Sequence, residues 1–205
     1  MGNTHFSGPA ISTGGFTGDL TGNVTGSVAG NVTGDLTPAV EAAEHGAGVI
    51  GTSSFGAPKT YRWTEAGVII TQIKIDLTGL ASKDTANDII GLAAGGAAYL
   101  GRNVVATNGV IFKVDMACIE LPAGGDTDID LVAGSAATDV YDGAVTNAAV
   151  LINGGTQAAG QVLQTLVPKI TANYYYYLTT GAGATAAAYT AGQFIITFYG
   201  HALLA

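Results

Sequence analysis

Between Gly18 and Pro38 the chain reads GDLTGNVTGSVAGNVTGDLTP, with glycine at every fourth position and Val or Leu two places after each glycine. Four is a multiple of two, so in an extended strand the same residue classes always share a face. One face then carries Phe16, Leu20, Val24, Val28, Val32 and Leu36 with glycines between them. The other carries Thr17, Asp19, Thr21, Asn23, Thr25, Ser27, Asn31, Thr33 and Asp35, with Ala29 the one departure. On an α-helix a four-residue period drifts by about 40° per repeat, and glycine with β-branched residues disfavours helix throughout. Collagen requires glycine every third residue, and solenoid repeats are far longer than four.

A lone strand can neither bury such a stripe nor satisfy its own backbone. Three copies around a threefold axis would do both. They would place Phe16, Leu20, Val24, Val28, Val32 and Leu36 at the interface and let the glycines bring the backbones close. Residues 16–36 would then span roughly 70 Å at about 3.3 Å per residue. Two other readings stay open: a flexible Gly/Thr linker, or an arm laid along another protein and adding to its sheet. The two Asn-Val-Thr triplets at Asn23 and Asn31 match a glycosylation acceptor, but arise as by-products of the repeat.

The remaining sequence predicts an all-β body. Three parts are expected: an extended repeat arm over 1–38, a linker over 39–58 that could include a short helical turn, and a β-sandwich over 59–205. VIITQIKIDLTGL (68–80) alternates, with Ile73, Ile75 and Leu77 on one face and Gln72, Lys74 and Asp76 on the other. GVIFKVDMACIEL (109–121) sets Ile111, Lys113, Asp115 and Ala117 against Phe112, Val114, Met116 and Cys118. Further strands are expected in 128–134, 148–154, 161–170, 174–181 and 193–204, with 82–101 ambiguous between a strand and a long loop. About seven or eight strands without amphipathic helices between them predict an antiparallel sandwich, jelly-roll-like in architecture.

Charge narrows the function classes. The 205 residues carry a net charge of −8, against binding nucleic acid or an anionic membrane through a basic face. No Asp or Glu follows Asp142, and residues 143–205 contain Lys169 and His201 alone among basic side chains. Two readings fit so uncharged a stretch: strands mostly in the core, or strands facing other subunits. The single cysteine, Cys118, excludes an internal disulfide framework and a cysteine-based zinc site and is expected to be a buried thiol. No secretory leader and no apolar run long enough to span a membrane is found, so the protein is expected to be soluble and made in a reducing cytoplasm.

Motifs for chemistry are few. GAGATA (181–186) has the form G-x-G-x-x-A but lacks the downstream acid of a dinucleotide site, so it reads as a turn. His5, His45 and His201 are isolated, without the spacing of a catalytic zinc site. Asp126, Asp128 and Asp130 alternate in GDTDID, either a calcium ligand set lacking its distal glutamate or a solvated acidic face of an edge strand. In NYYYY, Tyr174 and Tyr176 are expected to face one way and Tyr175 and Tyr177 the other, one pair packing and the other free to contact a subunit or a sugar. No catalytic residue, metal or cofactor is assigned, and the protein is expected not to be an enzyme.

THFSGP, then GGFTG, then tandem Gly-x-Val-Thr units resemble the N-terminal arms of virion structural proteins of tailed bacteriophages, among them head decoration (cement) proteins and tail-fibre segments. The resemblance covers the arm alone. It implies a homotrimer seated on the major capsid protein at the virion surface and reinforcing the shell. The alternative is a short tail-fibre or spike protein that binds a host surface glycan.

Overall fold

The computed structural model describes residues 44–52, 56–166, 170–183 and 185–202. By internal contacts the chain divides into Met1–Leu36 and Thr37–Ala205, and every described residue belongs to the second unit. The repeat arm, with Phe16, Leu20, Val24, Val28, Val32 and Leu36, lies outside the described residues.

The body is an antiparallel β-sandwich. Its strands are β1 (Lys59–Glu65), β2 (Val68–Asp76), β3 (Ala81–Ser82), β4 (Gly101–Arg102), β5 (Val110–Ala123), β6 (Ile129–Gly134), β7 (Ala149–Ile152), β8 (Val162–Thr165), β9 (Tyr175–Thr180), β10 (Ala187–Ala188) and β11 (Ala191–His201). One sheet has the order β1-β2-β11-β5-β8, the other β4-β9-β6-β7, and β3 pairs with β10 as a small separate ribbon. Both large sheets are antiparallel throughout.

The core lies between the sheets. Ile73, Ile75, Val114, Met116, Phe194, Ile196 and Phe198 enter it from the five-stranded sheet, and Leu131, Ala133, Tyr176 and Leu178 from the four-stranded one. Tyr176 and Phe198 stack across the gap with ring centroids 4.2 Å apart. The expected alternation holds along β2, where Ile73 and Ile75 are buried between half-exposed Gln72 and Lys74. Cys118 is buried in β5, and burial pushes its thiol above the usual range.

Along β5 the alternation fails at both ends, and the cause is local. Tyr199 pairs with Lys113 and Gly200 with Ile111, so Phe112 is an extra residue against β11. Gln193 pairs with Glu120 and Phe194 with Cys118, so Ile119 is another. Each bulge shifts the strand by one residue and turns a side chain over. Ile111 is therefore buried while Phe112 and Ile119 are 38% and 52% exposed.

The second half of the expected linker is built into the body. Gly46 and Gly48 donate backbone hydrogen bonds to the carbonyls of Tyr99 and Ala97, Ala47–Val49 forms a single helical turn, and Val49 joins the core. The ambiguous 82–101 segment is mostly irregular. Its residues 88–90 run beside β9, with Ile90 N–H donating to Leu178 O and Thr180 N–H to Asp88 O.

The two sheets differ on their outer faces. Residues 135–148 fold over the four-stranded sheet: Val145 packs where Gly134 has no side chain, and the Tyr177 hydroxyl donates to Ala136 O. Val132, Tyr177 and Thr179 point away from the sandwich core yet are 4%, 0% and 1% exposed. Over the five-stranded sheet most outward side chains are partly exposed, although Ile70, Thr197 and Asp76, the last expected beside Gln72 and Lys74 on the polar face, are buried.

Candidate interaction surfaces

The acidic triplet is not a solvated face. Asp126 and Asp130 are 5% and 3% exposed, and β6 is an interior strand between β9 and β7. Asp126 and Asp128 precede β6, so the three carboxylates do not line one strand. Each takes a different backbone donor. Asp126 accepts from Asp128 N–H (2.8 Å) and Thr185 N–H (3.0 Å), Asp128 from Ala182 N–H (2.8 Å), and Asp130 from Gly154 N–H (2.7 Å). Burial, with the nearby Asp128 charge, raises the Asp130 carboxyl above its ordinary value, and the Gly154 hydrogen bond opposes this. Among the described residues no group of three His, Cys, Asp or Glu side chains is placed to hold a metal ion.

This arrangement explains the glycines of GAGATA. A Cβ on Gly181 would lie 2.2 Å from the Asp128 carboxylate, and one on Gly183 2.3 Å from that of Asp126. Only glycine lets the backbone come this close. The loop cradles anions with its N–H groups as a phosphate loop does, but the anions are the chain's own carboxylates. Ser82 completes the junction: its hydroxyl donates to Thr185 O at 2.6 Å and accepts from Asp126 N–H at 2.9 Å.

The tyrosine run splits as its parity predicts. Tyr176 enters the core, and Tyr177, on the opposite side, is buried beneath residues 135–148. Burial raises both phenols far above their ordinary value. Tyr175, on the same side as Tyr177, stays half-buried at the β4 edge. There it meets Tyr99 edge-to-face at 5.0 Å, with the Arg102 guanidinium 5.5 Å from its ring centre. Glu44, Tyr99, Arg102, Val104 and Tyr175 line a surface depression of about 240 Å³.

The outer face of the five-stranded sheet offers a second surface. In register across it run Trp63, Ile70, Tyr199 and Lys113, then Tyr61, Gln72, Thr197, Asp115 and Gln164, then Lys59, Lys74, Ile195, Ala117 and Val162. Lys74 lies 5.2 Å from the Tyr61 ring centre and Lys113 4.8 Å from that of Tyr199. Lys113 also pairs with Asp115 at 2.9 Å, which raises its pKa. The last row ends in apolar side chains. Val162 is 56% exposed, and the bulge residue Ile119 joins it beside a hollow of about 180 Å³ lined by Lys74, Ile119, Gln193 and Ile195. Beyond β8, Leu166 is 77% exposed. Nothing in the alternation of β5 foretold Ile119 here, because the bulge leaves no periodic signal.

The charge-poor stretch contains both buried strands and exposed segments. Within it β9 and β11 are interior strands that supply core residues, while many residues between them, Val150, Val162 and Leu166 among them, are exposed. His45 Nδ1 lies 3.0 Å from Gly46 O, and His201 stacks on Phe112 at 6.2 Å. His5 lies outside the described residues. Among those residues no helix is long and apolar enough to cross a membrane. Compared with models of known families, with curated proteins and with solved structures, the chain gives no match.

Proposed function

We propose that the protein is a structural component of a virion, a homotrimeric capsid decoration protein that binds the major capsid shell and stabilises it. The observation that carries this reading is the two-faced Gly-x-Val/Leu-Thr arm, whose apolar stripe requires a partner strand. The strand order of the body supports the finer jelly-roll reading: β2-β11-β5-β8 faces β4-β9-β6-β7, the arrangement of two interlocked Greek keys, with β1 added at one edge. The exposed Ile119 and Val162, with half-buried Ile195 beside them, support a second contact with a neighbouring subunit. Many weak clamps of this kind at symmetry-related sites add up to strong attachment without any chemistry.

Sedimentation of the full chain against a chain lacking residues 1–38 tests this. The full chain is expected to be trimeric and to bind capsids, and the shortened chain to lose both. Val24→Asp with Val28→Asp in the full chain should weaken trimer formation or capsid attachment. A shortened chain that still forms trimers and binds capsids would overturn the assembly role of the arm. Copy number per virion separates decoration, with hundreds of copies expected, from a fibre or spike, with tens at most.

A further inference from the structure

We propose that the depression at the β4 edge is a binding site for a single neutral pyranose ring. The inference goes beyond the capsid role and does not rest on it. Tyr175 and Tyr99 supply aromatic surface against which the C–H face of a sugar can pack. Arg102 and Glu44 line the same hollow and supply the two kinds of group that vicinal hydroxyls need: a fixed fork of donors and a carboxylate acceptor. Opposite charges on its walls disfavour a strongly cationic or anionic ligand and leave a neutral, hydroxyl-rich one as the match.

Two details favour a built site over a chance hollow. Arg102 is held in place: its Nη2 donates to Asn173 Oδ1 at 2.8 Å, and its guanidinium carbon lies 5.5 Å from the ring centre of Tyr175, its cross-strand neighbour. Its Nε–H is nevertheless buried without a hydrogen-bond partner, a costly state that native structures rarely tolerate without a reason. Glu44 is also pre-positioned, 3.6 Å from Arg62 Nη2 and with its side chain 38% exposed. The volume of about 240 Å³ falls below the roughly 300–1,000 Å³ of pockets that enclose drug-sized ligands. It suits one terminal ring of a longer glycan. The −8 net charge opposes nucleotides through their phosphates, while a neutral nucleoside, which could also stack, is set against the sugar in the test below.

Saturation-transfer NMR on the full chain tests this with the methyl glycosides of glucose, galactose, mannose and N-acetylglucosamine, and with adenosine as the competing class. At least one glycoside is expected to receive saturation and bind in the millimolar range, and its titration should shift the Arg102 Nε–H resonance. Tyr175→Ala should weaken binding about tenfold, and Tyr175→Phe should retain it. Arg102→Lys, which keeps the charge but loses the fork, should also weaken it. Should Tyr175→Ala fail to fold, Arg102→Lys and the Nε–H shift in the unaltered chain still decide. Any one of three results overturns the proposal: no transfer to any of the four glycosides, binding undiminished in the folded variants, or adenosine binding more tightly than every glycoside. None of these bears on trimer formation or copy number, so the two proposals fail separately.

Discussion

Tyr177 and Tyr61 both point away from the sandwich core, one from each sheet, yet one is fully buried and the other half-exposed. The four-stranded sheet has protein on both faces over β6 and β9, because residues 135–148 cross its outside. The five-stranded sheet keeps a partly solvated outer face with Lys, Gln and Tyr in register. Sequence pattern follows the covering: LVAG in β6 and YYLTT in β9 are continuous buried runs, whereas β2 and β11 alternate over most of their length. A sheet buried on both faces loses the period of two that a half-buried sheet shows.

The contrast can be broken most forcefully at those two tyrosines. Tyr177→Ala should destabilise the body by about 3–5 kcal/mol, and Tyr61→Ala by less than about 1 kcal/mol. Comparable losses in denaturant unfolding would show that the covering segment contributes nothing. A smaller effect is expected at the glycine loop. Asp126→Ala strips the acceptor from the Asp128 and Thr185 N–H groups and should cost about 2–3 kcal/mol, lowering the thermal midpoint by about 4–12 °C. A shift below that range would mean the loop is held by other contacts.

The smallest expected effect is a gain. Burial holds the folded-state pKa of Asp130 above its ordinary 3.8, so the native state binds this proton more tightly than the unfolded chain does. Stability therefore falls as pH rises from the unfolded to the folded pKa, and the full penalty is present above both. Asp130→Asn removes that penalty while keeping an oxygen for Gly154 N–H. The new amide also faces Thr179 across the strand pair, whose buried hydroxyl has no partner. The variant should be the more stable protein at neutral pH, with the advantage shrinking as pH falls through the raised folded pKa and gone below 3.8. A variant no more stable at neutral pH would show that the carboxylate is adequately solvated.

The fold class was legible because alternation in β2 and the middle of β5 reports one buried face directly. The bulges at Phe112 and Ile119 were not, since an extra residue is visible only against its partner strand. The parity of Tyr174–Tyr177 was legible, but not that Tyr177 is covered, because residues 135–148 carry no periodic pattern. The acidic triplet misled for a related reason. Alternating Asp reads as a wet face, while here each carboxylate is the terminus for a backbone N–H from a distant loop, as far along the chain as Thr185. The depression at Glu44, Tyr99, Arg102 and Tyr175 joins three separate segments, so no local motif announces it.

The central place of β11 has a consequence for how the body comes to exist. It is the last strand of the sandwich in chain order, yet it pairs with β2 on one side and β5 on the other. Until it is made, the five-stranded sheet is two disconnected pieces, with the unpaired edges of β2 and β5 open to any passing strand. Its pairings span long stretches of chain, as from Val68 to His201, and such distant contacts form slowly. During synthesis the N-terminal repeat therefore emerges well before the body can close, and chains truncated before β11 would be left unable to assemble that sheet. Synthesis through β11 is thus checked by the fold itself.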